Sequence, residues 1–189
     1  EGWLNFWHCG QLDLNPTATI TCVALLLEQD GPGIPAVGEL LFAQAHAYRA
    51  ISEADAEAEV WARILDLGDT HLAAATEFLA PYFEDKSRWE ELVDVLRIRA
   101  SAETGQQRAV TLLKLATVSD VKLGEVHLAR TYVQQASRVS GPTPELRQMA
   151  LDLAERSGDW VDVVRLLGES GPIPDGQEPW ADSVRAARI

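Results

Sequence analysis

The chain has 189 residues, room for one or two domains or one short solenoid, and 47% of them are hydrophobic, enough to build a packed core. Its 29 acidic residues outnumber 16 basic ones, and the net charge of −13 argues against nucleic acid and anionic membrane surfaces, which need Lys and Arg clusters. Two cysteines, Cys9 and Cys22, are too few for a disulfide scaffold and lack metal-ligand spacing, so each reads as a small buried hydrophobe.

Residues 1–36 begin with the aromatic-rich run GWLNFWHCGQ. Trp3, Phe6 and Trp7 form a candidate contact patch there, of the kind that docks onto a neighbour. Asn15-Pro16-Thr17 reads as a break. Thr17 to Gln29 is expected to be helical, although Thr19, Ile20, Thr21 and Val23 lean locally towards a strand. GPGIP (31–35) is then a loop, and 1–36 as a whole a degenerate helical pair or capping segment.

From residue 37 short amphipathic helices alternate with polar breaks. The first is Val37 to Ile51. Ser52-Glu53-Ala54-Asp55 looks like a cap with an acidic first turn, opening a helix through Leu67 that Gly68-Asp69 ends. Thr70 to Glu84 comes next, with Pro81 expected to kink or shorten it. Ser87-Arg88-Trp89-Glu90 has the form of a capping box. It starts a helix whose Trp89, Leu92, Val93, Leu96 and Ala100 share one stripe. Gly105 breaks the chain, and Gln107 to Lys122 is the fifth helix. The turn Leu123-Gly124-Glu125 leads into a sixth over about residues 125–139, stopped by Gly141-Pro142. Thr143-Pro144-Glu145 opens the seventh with a hydroxyl cap and a proline in its first turn. Gly158-Asp159 separates it from the eighth, with Trp160, Val163, Val164 and Leu167. The run 171–179 is a Pro/Gly linker, and 179–189, with Trp180, reads as the start of a further helix.

RWEELVDVL (88–96) aligns with DWVDVVRLL (159–167) at an offset of 71 residues. The same offset pairs Leu41 with Leu112, Ala45 with Ala116, Ala58 with Ala129 and Trp61 with Tyr132, as well as Val93 with Val164 and Leu96 with Leu167. A helical repeat of this kind implies pairs that cannot bury their apolar faces alone and therefore stack. The fold class is thus all-α: antiparallel helical hairpins stacked as a short right-handed α-solenoid. Trp89 and Trp160, at the starts of matched helices, read as wedges between helices rather than as a ligand cage.

The pattern resembles tetratricopeptide repeats. The unit 108–139 carries LLKLATV, then Leu123-Gly124, then HLARTYVQQA, with Ala116, Gly124, Ala129 and Tyr132/Val133 in the small, turn and aromatic roles of that family. The resemblance spans 37–171, as pairs 37–67, 70–104, 107–139 and 143–170, with 172–189 left as the linker and start of a further helix. The pair 37–67 lacks a turn glycine, and the family's terminal proline is absent.

The resemblance implies a protein-interaction scaffold without catalysis or cofactor, binding a protein or peptide partner on the concave face built by the first helix of each pair. Carried over helix by helix, that face presents His46, Arg49, Glu77, Glu84, Lys114, Asp120, Gln148, Asp152 and Glu155. The set is mixed and mostly acidic, so a basic partner segment is expected rather than a clamped terminal carboxylate. Two alternatives stay open: a structural subunit or spacer of a larger assembly, and the repeat portion of a larger enzyme or regulator.

Chemistry motifs are missing. His8, His46, His71 and His127 have no metal-ligand spacing, and neither a nucleophile elbow nor a phosphate-binding glycine loop occurs. Carboxylate pairs such as Glu84/Asp85 and Glu90/Glu91 read as solvated charge or capping. No apolar run approaches the roughly 18 residues of a membrane span. With no leader pattern visible, a cytoplasmic location is the expectation, while a removed leader or a longer parent chain stays open.

Overall fold

A computed structural model of the chain describes residues 2, 7, 15–29, 31, 33–68 and 71–168. Trp3 and Phe6 of the expected contact patch, Cys9, and the linker with Trp180 lie outside the described residues. Among the described residues there are nine helices and no strand. In chain order they are α1 (Pro16–Leu27), α2 (Val37–Ala50), α3 (Ala54–Leu67), α4 (Leu72–Asp85), α5 (Trp89–Ala102), α6 (Gly105–Val121), α7 (Val126–Ser140), α8 (Pro144–Arg156) and α9 (Trp160–Gly168). The all-α expectation holds. No helix among the described residues is long and apolar enough to cross a membrane.

The chain divides into two compact units, up to Arg88 and from Trp89 onward. In the first unit α1 packs on α2, α2 on α3 and α3 on α4. In the second, α5 through α9 each pack on the next. Connections of a few residues fold successive helices back on one another, and each helix buries one stripe against its neighbours.

Local chemistry explains the helix starts. At α1, Asn15 caps the helix by accepting from the Ala18 amide at 3.1 Å, and Pro16 sits in the first turn. The expected break is therefore the start of the helix. The strand-leaning threonines are absorbed by donating back one turn, Thr19 to the Asn15 carbonyl and Thr21 to the Thr17 carbonyl, both at 3.1 Å. At α8, Thr143 accepts from the Leu146 amide at 3.3 Å with Pro144 behind it, as expected. Gly105 opens α6 rather than breaking the chain, and α4 runs on past Pro81 to Asp85.

The expected caps at Ser52 and Ser87 are replaced by something else. Both serines have left-handed backbone, with φ of 61° and 57°. Each closes the helix before it rather than opening the one after. The Glu53 amide returns to the Tyr48 carbonyl at 3.1 Å and the Arg88 amide to the Phe83 carbonyl at 2.9 Å. The same long bond recurs from Asp159 to Ala154 at 3.0 Å around Gly158 (φ 71°), and around Gly124 (φ 70°) a still longer one runs from the Glu125 amide to the Ser119 carbonyl at 2.8 Å. The bonds at Glu53, Arg88 and Asp159 are the six-to-one closure of a Schellman turn, which needs one left-handed residue just past the helix end, whereas the one at Glu125 spans one residue more. The turn that seemed to lack its glycine uses a serine there.

The 71-residue offset is visible in burial. Leu41 and Leu112, Ala45 and Ala116, Ala58 and Ala129, and Trp61 and Tyr132 are all buried. The echo weakens at its end: Val93 is buried, whereas Val164 is 55% exposed. The cause is position, since α5 is followed by a packed helix and α9 is the last described one. Trp160 is likewise 44% exposed, so among the described residues it is not the wedge expected. Trp89 is half-buried, with the Lys122 ammonium 4.7 Å above its ring. Trp61, 1% exposed, is the tryptophan that fills a core.

Candidate functional site

In the first unit, α2 presents Glu39, Phe42, His46 and Ala50 at helical spacing beside a hollow of about 620 Å³, which Trp7 and His71 also line. Phe42 is its centre. The His71 ring stacks on it with centroids 4.3 Å apart, and the His46 ring meets its edge at 4.5 Å. Trp61 closes the back of this group, 5.7 Å from Phe42 and 6.2 Å from His46. The walls are mostly apolar, with the Glu39 carboxylate and the imidazole nitrogens as polar handles, the composition expected of a pocket for an apolar or aromatic group. Trp7, part of the expected contact patch, is half-buried and also packs on the core of Cys22, Val23, Leu26 and Leu40. Burial pushes the Cys22 thiol up.

Arg49, one turn on from His46, is turned elsewhere. Its guanidinium binds the Glu57 carboxylate through Nε at 2.8 Å and Nη2 at 2.7 Å. Glu57 is 3% exposed and also accepts from the Trp61 indole N–H at 3.0 Å. Arg49 thus clasps α2 to α3. On α4, Glu77 and Glu84 are both exposed.

In the second unit three of the expected residues come together. A hollow of about 600 Å³ on α6 and α8 is lined by Asp120, Glu145, Gln148, Met149, Asp152 and Arg156, among others. Arg156 grips Asp120 with both terminal nitrogens at 2.7 Å, and Gln148 donates to Asp152 at 2.8 Å. Three carboxylates, Asp120, Glu145 and Asp152, share this lining with one guanidinium, Arg156, so the hollow is acidic on balance. Glu145 ionises readily, its carboxyl held below the usual range by hydrogen bonds from its own backbone amide and the Thr143 hydroxyl. Lys114 and Glu155 are half-buried on α6 and α8 and do not line this hollow.

Arg130 was not singled out by sequence. It sits on α7 and holds two carboxylates, Asp159 at 2.7 Å and Asp162 at 2.5 Å. Burial works against its charge, and the hydrogen bond to Asp159 and the charge of Asp162 more than restore it. Only the spacing of the two aspartates, one before α9 and one in its first turn, hinted at a shared cation.

No family profile matches the chain, and no curated protein matches it. Among solved structures it is similar to the crystal structure of MamA, at 17% identity and a TM-score of 0.46, with 92% of each chain covered. It is also similar to the TPR-like repeats of a putative kinesin light chain from Podosopora anserina, at 15% identity and a TM-score of 0.44, covering 98% of this chain and 93% of that one. A point variant of that protein gives 15% identity and a TM-score of 0.43, covering 98% and 92%. The helical-repeat architecture described above rests on this chain's own helices and Schellman turns.

Proposed function

We propose that the chain is a non-catalytic protein-interaction scaffold that binds a basic partner segment on the faces of the first helices of its pairs. The observation that carries this is the hollow on α6 and α8, where Asp120, Gln148 and Asp152 meet and Glu145 adds a further carboxylate. Carboxylates on the wall of a hollow favour an approaching Lys or Arg and repel acidic competitors. The chain's net charge of −13 would steer a cationic segment towards it over longer range. The Phe42 hollow supports the same reading in the first unit, by offering an apolar partner side chain a place to be buried.

The test is affinity capture with wild type beside a Glu145→Lys/Asp152→Lys variant, followed by binding of the captured protein's basic segment as a synthetic peptide. The peptide is expected to bind wild type, to weaken steeply with added salt, and to be lost on charge reversal. Binding that ignores both salt and charge reversal refutes the reading.

A further inference from the structure

A third hollow, of about 350 Å³, lies between α7, α8 and α9, and its charge runs against that of the chain. Arg138, Arg147 and Arg165 line it, with Gln134 and Ser137 as neutral hydrogen-bonding groups. One carboxylate, Asp162, is on the wall, and it is already shared between Arg130 and Arg165. Arg138 and Arg147 have no ion pair or hydrogen bond among the described residues. Arg63 and Arg108 likewise have no ion pair or hydrogen bond among the described residues, so what sets Arg138 and Arg147 apart is that they converge on one hollow.

The geometry points to a binding site for a phosphomonoester. A guanidinium presents a planar fork that matches oxyanions in pairs of hydrogen bonds. A single carboxylate would neutralise one of the two arginines. A phosphomonoester carries a charge of about −1.5 to −2 near neutral pH and three acceptor oxygens, which suits both. Gln134 and Ser137 can complete its hydrogen bonds. Leu146 and Leu166 give the remaining wall an apolar character fit for a small organic body. The volume is near the lower end of ligand pockets, so a compact monoester fits better than a nucleoside triphosphate.

The experiment titrates the intact chain with glycerol 3-phosphate and, separately, with a short phosphoserine peptide and its unphosphorylated form. Succinate is the dicarboxylate control. Binding is read by calorimetry and phosphorus NMR, for wild type and an Arg138→Gln/Arg147→Gln variant. That substitution leaves every ion pair described above in place. Wild type is expected to bind at least one phosphomonoester with a dissociation constant on the order of 1 mM or tighter. Succinate should be about tenfold weaker, and the variant weaker by about tenfold or more. Binding of the peptide but not of glycerol 3-phosphate assigns the site to phosphorylated protein; the reverse assigns it to a free phosphorylated molecule. No binding of either by wild type, or equal binding by the variant, overturns the proposal.

Discussion

Glycine at the two serine turns should stabilise the protein, and alanine at the two glycine turns should do the opposite. Ser52 and Ser87 have φ of 61° and 57°, and Gly124 and Gly158 have 70° and 71°. A side chain in that region crowds the following carbonyl at a cost of roughly 1–2 kcal/mol. Glycine avoids this but loses about 0.4–1 kcal/mol through the greater freedom of its unfolded chain. The net gain for Ser52→Gly or Ser87→Gly is then about 0.5–1 kcal/mol each. A Cβ built on Gly124 or Gly158 meets nothing within 4 Å, so alanine there carries the backbone strain alone. Its cost should mirror the gain at the serines, again about 0.5–1 kcal/mol. Urea unfolding followed by circular dichroism reads these as midpoint shifts at constant slope. The capping box that the Ser87 sequence suggests makes the opposite forecast, because glycine is a slightly poorer cap than serine. If Ser87→Gly lowers the midpoint, the turn assignment at that corner is wrong.

Three further outcomes are expected from the packing. Replacing Glu57 with Ala strips the acceptor from the buried Trp61 indole, and with Arg49 half in solvent the loss should be about 2 kcal/mol in urea unfolding; Glu57→Gln should cost less, and equal losses would refute the clasp. Trp61→Ala should cost about 3–5 kcal/mol, whereas Trp160→Ala, at a 44% exposed site, should cost about 1 kcal/mol or less, and similar losses at the two would contradict their assigned burial. The Asp159 carboxyl is held below its ordinary range, first by the hydrogen bond from Arg130 and then by the Asp162 amide. A carboxyl lowered in the folded state stabilises fully above its unfolded value of about 3.9 and less as pH falls through the folded one. Melting temperature should therefore drop on acidification below about pH 4 more steeply in wild type than in Asp159→Asn, and parallel curves would count against the Arg130 contact.

The helices were legible because a buried stripe leaves a period of about 3.6 residues in the chain. Leu92, Val93 and Leu96, and likewise Ala129, Tyr132 and Val133, announce their faces in this way and are buried. The corners were less legible. Serine is common both at helix caps and in turns, and Ser87 with Glu90 three residues later matches the cap pattern while its φ belongs to the turn. Side-chain commitments were hidden for a different reason. Helix position placed Arg49 beside His46, but whether it meets a partner or Glu57 depends on a rotamer and on a neighbouring helix. Exposure at Trp160 and Val164 depends on which neighbours pack against α9, which a local repeat does not encode.

The Arg130 contact has a mechanical side. One guanidinium on α7 holds both Asp159, just before α9, and Asp162, in its first turn. A pull applied to α9 would load these bonds together, before the apolar contacts of Val163 and Leu166 part. The last described hairpin is thus latched to the helix before it, and under tension it should release in one step rather than unzip residue by residue.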